Sequence, residues 1–146
     1  MMRYFSILIL FSTFFYGQDV EHYRKNYAVA VKDKSVCESM IRVLEKESKL
    51  SVFIGYLGAY QTIWANHVIN PMSKLTTFQK GKRNLEASIK QDPNNIELRF
   101  LRYSIQKNAP KFLKYYHDLD TDRNFILEHK KYVQDEDLKR LLNTVH

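Results

Sequence analysis

Apolar residues recur at helical spacing along most of the chain. Between Ser35 and Ser48 they alternate with charged residues in the pattern of an amphipathic helix, and Ser35 with Glu38 has the spacing of a capping box. From Ser51 to Ile69 nearly every position is apolar, which is typical of a helix at the centre of a fold. The pattern therefore predicts a surface helix that packs against a central helix covering Val52 to Ile69.

Prolines and short polar turns separate the helices that follow. Asn70-Pro71 ends the central helix, because the residue before proline avoids helical backbone, and proline suits the first turn of the next helix. The turn around Pro93 and the segment before Pro110 mark two further breaks. The later helices are predicted over Met72 to Gln91, from Ile96 to about Lys107, from near Arg123, and over Asp135 to Leu142.

Glycine and proline are scarce, with 4 and 3 residues respectively, so long stretches lack the residues that form tight turns. This scarcity argues against a fold rich in β-structure. Gly55 and Gly58 would each cost about 1 kcal/mol relative to alanine within the central helix, and we expect them to permit close approach of a neighbouring helix. The predicted fold class is all-α, a compact domain of five to seven helices.

The segment from Leu85 to Asn95 resembles the end of a tetratricopeptide repeat, in which a second helix closes on an Asp-Pro-Asn turn. Gly81, Leu85 and Ser88 stand at the small, large apolar and small positions of that repeat. The resemblance implies a helical hairpin between the central helix and the Met72 to Gln91 helix. It covers one helix and one turn, whereas a stable array needs about three repeats, so it implies a single hairpin.

The first 17 residues have the order of a secretory signal peptide: Arg3, an apolar run from 4 to 16, and Gly17. The run is shorter than the roughly 20 residues that span a bilayer, and Cys37 lies too far along the chain to carry a lipid. We predict a signal peptide over 1–17, one helical domain over 18–146, no stable membrane anchor, and a periplasmic or extracellular location.

The whole chain is also similar to small exported proteins of Bacteroidetes-type bacteria. The similarity rests on the phenylalanine-rich signal that ends in Gly17-Gln18 and on the segments 97–103 and 108–113. It implies export and brings no particular activity with it.

The formal net charge is +7, and bases interleaved with aromatic residues concentrate between Lys80 and Lys114. This pattern is typical of a groove with stacking surfaces for an acidic partner. For an exported protein we expect an envelope protein or an anionic envelope component, and nucleic acid is less favoured. The alternative is that the bases form solvated helix faces over an aromatic core. The candidate binding residues are Lys80, Lys82, Arg83, Arg99, Arg102 and Tyr103.

Three alternating aspartates, Asp118, Asp120 and Asp122, resemble the start of a calcium loop. Arg123 stands where that loop needs glycine, and His129 stands where it needs glutamate. We therefore expect one of the aspartates to cap the helix that starts near Arg123.

The sequence contains no recognisable catalytic, metal-binding or cofactor-binding motif. Cys37 has apolar neighbours typical of a core residue. On the central helix, Tyr60, Trp64 and His67 lie close together, and His67 is either a buried acid or base or a hydrogen-bonded core histidine. We predict a non-catalytic binding or accessory protein of the cell envelope that recognises a protein partner through helical surfaces. A small helical enzyme centred on these three residues is the alternative.

Overall fold

The computed structural model of the protein describes residues 20–47 and 49–146, and all regular secondary structure within them is helical. Seven α-helices pack around a shared apolar core in this part of the chain, which confirms the predicted fold class. The predicted signal peptide lies outside the described residues.

The observed helices agree with the sequence pattern to within a few residues, apart from a first helix that the pattern analysis had not identified. Two 3-10 turns, at Lys111–Leu113 and Lys130–Tyr132, connect the later helices. The α-helices are α1 (20–32), α2 (Lys34–Leu44), α3 (Ser51–His67), α4 (Pro71–Gln91), α5 (Ile96–Asn108), α6 (Leu119–His129) and α7 (Glu136–Leu142).

The apolar helix α3 is the centre of the fold, as its sequence predicts. It contacts α1, α2, α4 and α5, and most of its side chains are buried. Its most extensive contact is with α4, which follows it directly, so the two form a helical hairpin. The tetratricopeptide likeness of that hairpin stays a prediction.

Two glycines bring the hairpin helices into backbone contact. A Cβ atom on Gly58 of α3 would lie 2.6 Å from the carbonyl oxygen of Gly81 in α4, and a Cβ on Gly81 would lie 2.6 Å from that of Gly58. Gly55, one turn earlier in α3, leaves room for the side chain of Leu98 from α5. The expected role of Gly55 and Gly58 in close helix packing is thus confirmed.

A cluster of four tyrosines, Tyr23 and Tyr27 from α1 with Tyr56 and Tyr60 from α3, fixes α1 against the central helix. Their ring centroids lie 6.0 to 6.4 Å apart across the interface. The hydroxyl of Tyr60 donates a hydrogen bond to the carbonyl oxygen of Tyr23 at 2.6 Å. Edge-to-face contacts of this kind add stability beyond the buried area alone.

A buried ion pair also links α1 to α5. Arg24 donates from Nε and Nη2 to the two carboxylate oxygens of Glu97, at 2.6 and 2.8 Å. The hydroxyl of Tyr56 donates to the same carboxylate at 2.6 Å. Glu97 therefore has its charge and lone pairs satisfied by two other helices, as a buried carboxylate requires.

Two helix caps differ from the prediction. Helix α2 ends at Leu44 and begins one residue before Ser35, and Asp33 caps it by accepting a hydrogen bond from the backbone NH of Val36 at 3.1 Å. Ser35 consequently lies inside the first turn, where its hydroxyl cannot be the N-cap.

Helix α6 begins at Leu119, earlier than expected, and no aspartate caps it. Asp118 occupies the N-cap position without a side-chain bond to the helix. Its carboxylate instead accepts from the side-chain amide of Gln106 at 3.0 Å and lies 3.6 Å from the guanidinium of Arg102. Asp122 is fully buried in the first turn of α6. Side chains of α5, namely Gln106 for Asp118 and the arginines for Asp122, therefore bind the carboxylates that could have capped the helix.

Cys37 is a buried core residue, as its apolar neighbours predict. Its thiol donates to the carbonyl oxygen of Tyr60 at 3.4 Å, and burial raises the pKa of the thiol to about 12. Burial likewise raises the pKa of Tyr27 to about 12, partly offset by the hydrogen bond between its hydroxyl and that of Ser104.

The close contact of α3 and α4 predicts that Gly58→Ala destabilises the protein. Alanine gains about 1 kcal/mol of helix propensity, but its methyl group would overlap backbone atoms that cannot rotate away, and overpacking costs about 1–3 kcal/mol. We expect a net loss of roughly 1 kcal/mol in urea unfolding. Ala87→Gly, at an exposed site in α4, measures the propensity effect alone. Unchanged or increased stability in Gly58→Ala would contradict this packing.

The raised pKa values of Tyr27 and Cys37 predict a loss of stability at alkaline pH. In the unfolded chain these groups ionise near pH 8.5 to 10, whereas the folded protein keeps them neutral up to about pH 12. Their stabilisation is therefore complete below about pH 8.5 and falls as the pH rises towards 12. Urea midpoints between pH 7 and 11 should decline, and Tyr27→Phe should make the decline shallower. A parallel decline in Tyr27→Phe would refute the role of Tyr27.

Candidate functional site

The six residues of the predicted basic site divide between two helices with different surroundings. On α4, Lys80 and Arg83 are exposed and Lys82 is half-buried. The Lys82 ammonium lies 4.7 Å from the ring centroid of Tyr115, in cation–π geometry. These three side chains leave positive charge at the surface of α4.

On α5, the predicted binding residue Arg102 is buried, with 7 % of its surface exposed. It donates from Nε and Nη2 to the two oxygens of Asp122, at 2.7 and 2.9 Å, and from Nη1 to Glu86 at 3.0 Å. Arg99 donates to the same Asp122 carboxylate at 3.0 Å. The positive charges of both arginines are thus directed into the protein.

The electrostatics of this cluster favour charged Arg102. Burial alone would lower its pKa, but the hydrogen bonds and negative charge of Asp122, with further help from Glu86, raise the pKa above its ordinary value. Tyr103, the third α5 candidate, is also buried, and the Lys107 ammonium lies 5.6 Å from its ring centroid. The geometry gives these three residues internal partners, and their predicted role in binding stays a prediction.

In the alternative site on α3, the rings of Trp64 and His67 lie together, with centroids 5.9 Å apart, whereas Tyr60 lies in the core. His67 places Nε2 at 2.8 Å from the carbonyl oxygen of Ala30, and the Tyr60 hydroxyl is fully buried against α1. Trp64 is half-buried, with the ammonium of Lys34 at 5.3 Å from its ring centroid. The polar atoms of His67 and Tyr60 therefore bind backbone carbonyls of α1.

Trp64 and the basic candidate Lys80 line the same shallow depression of about 370 Å³ between α2, α3 and α4. The sequence pattern had assigned them to different sites. The depression is bordered by charges of both signs, with Glu38, Glu45 and Arg42 on α2 and its C-cap. This mixed border gives it no clear preference for an acidic or a basic ligand.

A larger cavity, which we call the apolar groove, lies at the end of the hairpin where α3 passes into α4. Its volume is about 590 Å³. It is lined by Tyr27 and Val31 of α1, the end of α3, the first two turns of α4, the end of α5 and the 109–113 segment. Its size is within the range of ligand-binding cavities.

Large apolar side chains at the groove are open to solvent. Met72 at the start of α4 is 72 % exposed, and Phe112 in the 111–113 turn is 78 % exposed. Leu75, Phe78 and Leu85 recur at helical spacing and form an apolar stripe on α4. Leu75 is exposed, whereas Phe78 and Leu85 further along that stripe are buried. In the first turns of α4 the stripe therefore lines the groove instead of packing in the core.

Two prolines explain why this surface stays uncovered. Pro71 starts α4 directly after the last residues of α3, and Pro110 follows the end of α5. Because Pro110 ends α5, no further helical turn of α5 covers Leu75. The sequence pattern did not predict this site. A local signal for it exists, because Met72 and Phe112 are large apolar residues that each lie within two residues of a proline, where a helix begins or ends.

Within residues 20–47 and 49–146, no group of three or more His, Cys, Asp or Glu side chains is arranged to hold a metal ion. In the same residues no helix is both long enough and apolar enough to cross a bilayer. Comparison of the chain with protein-family models, with curated proteins and with solved structures gives no match.

The buried pair predicts that Arg102 contributes strongly to stability. Arg102→Met leaves the buried Asp122 with Arg99 as its remaining ionic partner, and breaking a buried pair costs at most about 3–5 kcal/mol. Arg83→Met, on the exposed face of α4, should change the free energy of unfolding by less than about 0.5 kcal/mol. Adding Asp122→Leu to Arg102→Met should restore part of the loss, because it removes a buried carboxylate that has lost two of its three hydrogen bonds to arginine. Equal effects of Arg102→Met and Arg83→Met would contradict this assignment.

Proposed function

We propose that this protein is an exported, non-catalytic binding protein of the cell envelope that recognises a partner protein, and that the apolar groove is its recognition site. The observation that carries the proposal is the solvent-exposed apolar rim of the groove. Soluble proteins rarely leave large contiguous apolar surface open to water, and where they do it commonly marks a site of interaction.

The extent of the exposed surface favours a protein over a small molecule. Ile69, Met72 and Phe112 are 95 %, 72 % and 78 % exposed, and Ile69 lies outside the groove lining. A small ligand inside the groove would leave such side chains in water. A partner protein could fill the groove and cover its rim in one interface, which is the arrangement of a buried centre with a surrounding rim seen in protein complexes.

The enzymatic alternative has less support from the geometry. A general acid or base needs a polar atom free to reach substrate. His67 Nε2 and the Tyr60 hydroxyl bind carbonyl oxygens of α1. These bonds give both residues a role in docking that helix and leave Nδ1 of His67 as the ring atom open to such chemistry. Export of the protein is supported by the composition of residues 1–17.

The proposal predicts site-specific cross-linking from the groove. A photoreactive amino acid at Met72 or at Phe112 should join the full-length protein to the same partner protein when envelope fractions are irradiated. The same amino acid at Tyr132, which is 68 % exposed outside the groove lining, is the matched control and should give no such product. Leu75→Asp should reduce the product about tenfold, as expected for loss of an apolar contact at the interface centre.

Two outcomes would overturn the proposed function. One is the absence of any protein cross-link from both groove positions in cells that produce the protein. The other is a product that forms equally from Tyr132 or persists unchanged in Leu75→Asp. Circular dichroism of each variant distinguishes a lost interface from a lost fold, since all four positions are exposed and their substitution should leave the helices intact.

A further inference from the structure

We infer that the partner segment bound by the apolar groove is an amphipathic helix that carries acidic side chains beside its apolar face. The inference rests on the proposed function and specifies the chemistry of the partner. It is carried by the distribution of charge around the groove.

The charged residues that line the apolar groove or directly adjoin a lining residue in sequence are all lysines. Lys74 lines the groove and four more lysines are such neighbours, whereas within residues 20–47 and 49–146 no aspartate or glutamate holds either position. All five lysines are exposed, and none forms an ion pair with any residue of the described ranges. The groove lysines are Lys32, Lys74, Lys107, Lys111 and Lys114.

Several surface charges elsewhere on the protein are matched by a partner on the same helix. Helix α1 pairs Lys25 with Glu21 at 2.5 Å, and α2 pairs Arg42 with Glu38 at 2.8 Å. Helix α7 pairs Lys139 with Glu136 at 2.9 Å and Arg140 with Asp137 at 3.2 Å. The groove lysines have no such counterparts, so complementary negative charge must come from the bound molecule. Complementary charge of this kind sets specificity and association rate.

The shape of the groove favours a helix as the bound element. Its walls are side chains of four helices and one turn, and regular structure in the described residues is entirely helical, so this site offers no strand edge to which an extended peptide could add. A helix presents apolar side chains at i, i+3, i+4 and i+7 as a ridge that can enter such a groove. Acidic residues beside that ridge would then face the groove lysines.

The concave shape of the groove also favours a helix over a membrane surface as the bound element. A protein that inserts into a bilayer surface presents protruding apolar side chains to the acyl chains. Here a cavity of about 590 Å³ lies between the exposed side chains of Met72 and Phe112. Insertion into a flat surface would leave that cavity empty, whereas a helical ridge fills it, and unfilled space forfeits packing contacts.

Selection from a random peptide library tests the inference without knowledge of the partner. Displayed random peptides of about 16 residues, long enough for roughly four helical turns, are selected on the wild-type protein and counter-selected on a Leu75→Asp, Phe112→Ser variant. Enriched peptides should combine apolar residues at helical spacing with an excess of Asp and Glu. Their binding should fall about tenfold or more in Lys74→Glu, Lys111→Glu, as is typical when complementary interface charges are reversed.

The matched charge control is Lys46→Glu, Lys131→Glu, which makes the same change in net charge at exposed sites outside the groove lining. This control should bind the acidic peptides within about twofold of wild type, because screening limits distant charges. Equal losses in both double variants would show that net charge alone attracts the peptides, and would overturn the inference.

Two further outcomes separate failure of the inference from failure of the proposed function. Groove-dependent peptides that are apolar and helical without acidic enrichment overturn the inference and leave the groove as a protein-binding site. The second outcome is that no groove-dependent peptide is selected, while the wild-type protein co-sediments with phosphatidylglycerol vesicles and the Leu75→Asp, Phe112→Ser variant does not. This result would assign the groove to lipid and would overturn both the inference and the proposed function.

Discussion

Gly58 and Gly81 bring the backbones of α3 and α4 into direct contact, and the positions of the other helices depend on that contact. Any side chain at either glycine would force the two helices apart, because the nearest atoms are backbone atoms. With α4 held this closely, α3 can be covered on its remaining sides by α1, α2 and α5. The cost of two glycines in helix interiors, about 1 kcal/mol each, is offset by the burial of an almost wholly apolar helix.

The same hairpin creates the apolar groove. Because α4 follows α3 after only a short turn, the first turns of α4 lie beside the last turn of α3. The apolar stripe of α4 buries Leu85 against Gly58 of α3 and Phe78 beside the ring of Tyr115, but α5 ends at Asn108 and Pro110 diverts the chain. Leu75 therefore lies beyond the covering helix, and the site is a consequence of where helices end rather than of a separate element.

Sequence patterns predicted the parts of the fold that depend on neighbouring residues. The apolar run of α3, the proline that starts α4 and the burial of Cys37 were all readable from the chain. The role of Arg102 was not, because its partner Asp122 lies on another helix and charge alone does not distinguish a solvated base from a buried one. Exposure of Leu75 likewise depends on which helix fails to cover it, which the apolar pattern of α4 does not record.

The basic residues between Lys80 and Lys114 thus have two kinds of surroundings, a buried ion-pair cluster and the solvent, and the type of side chain suits each of them. Arg99 and Arg102 share the buried carboxylate of Asp122, and a planar guanidinium suits such multiple hydrogen bonds. The exposed ammonium groups, such as those of Lys107 and Lys111, have no internal carboxylate partner among the described residues. Lysine is strongly hydrated and held by a flexible chain, so it keeps its charge in water, and in the proposed complex a partner would supply the opposite charge.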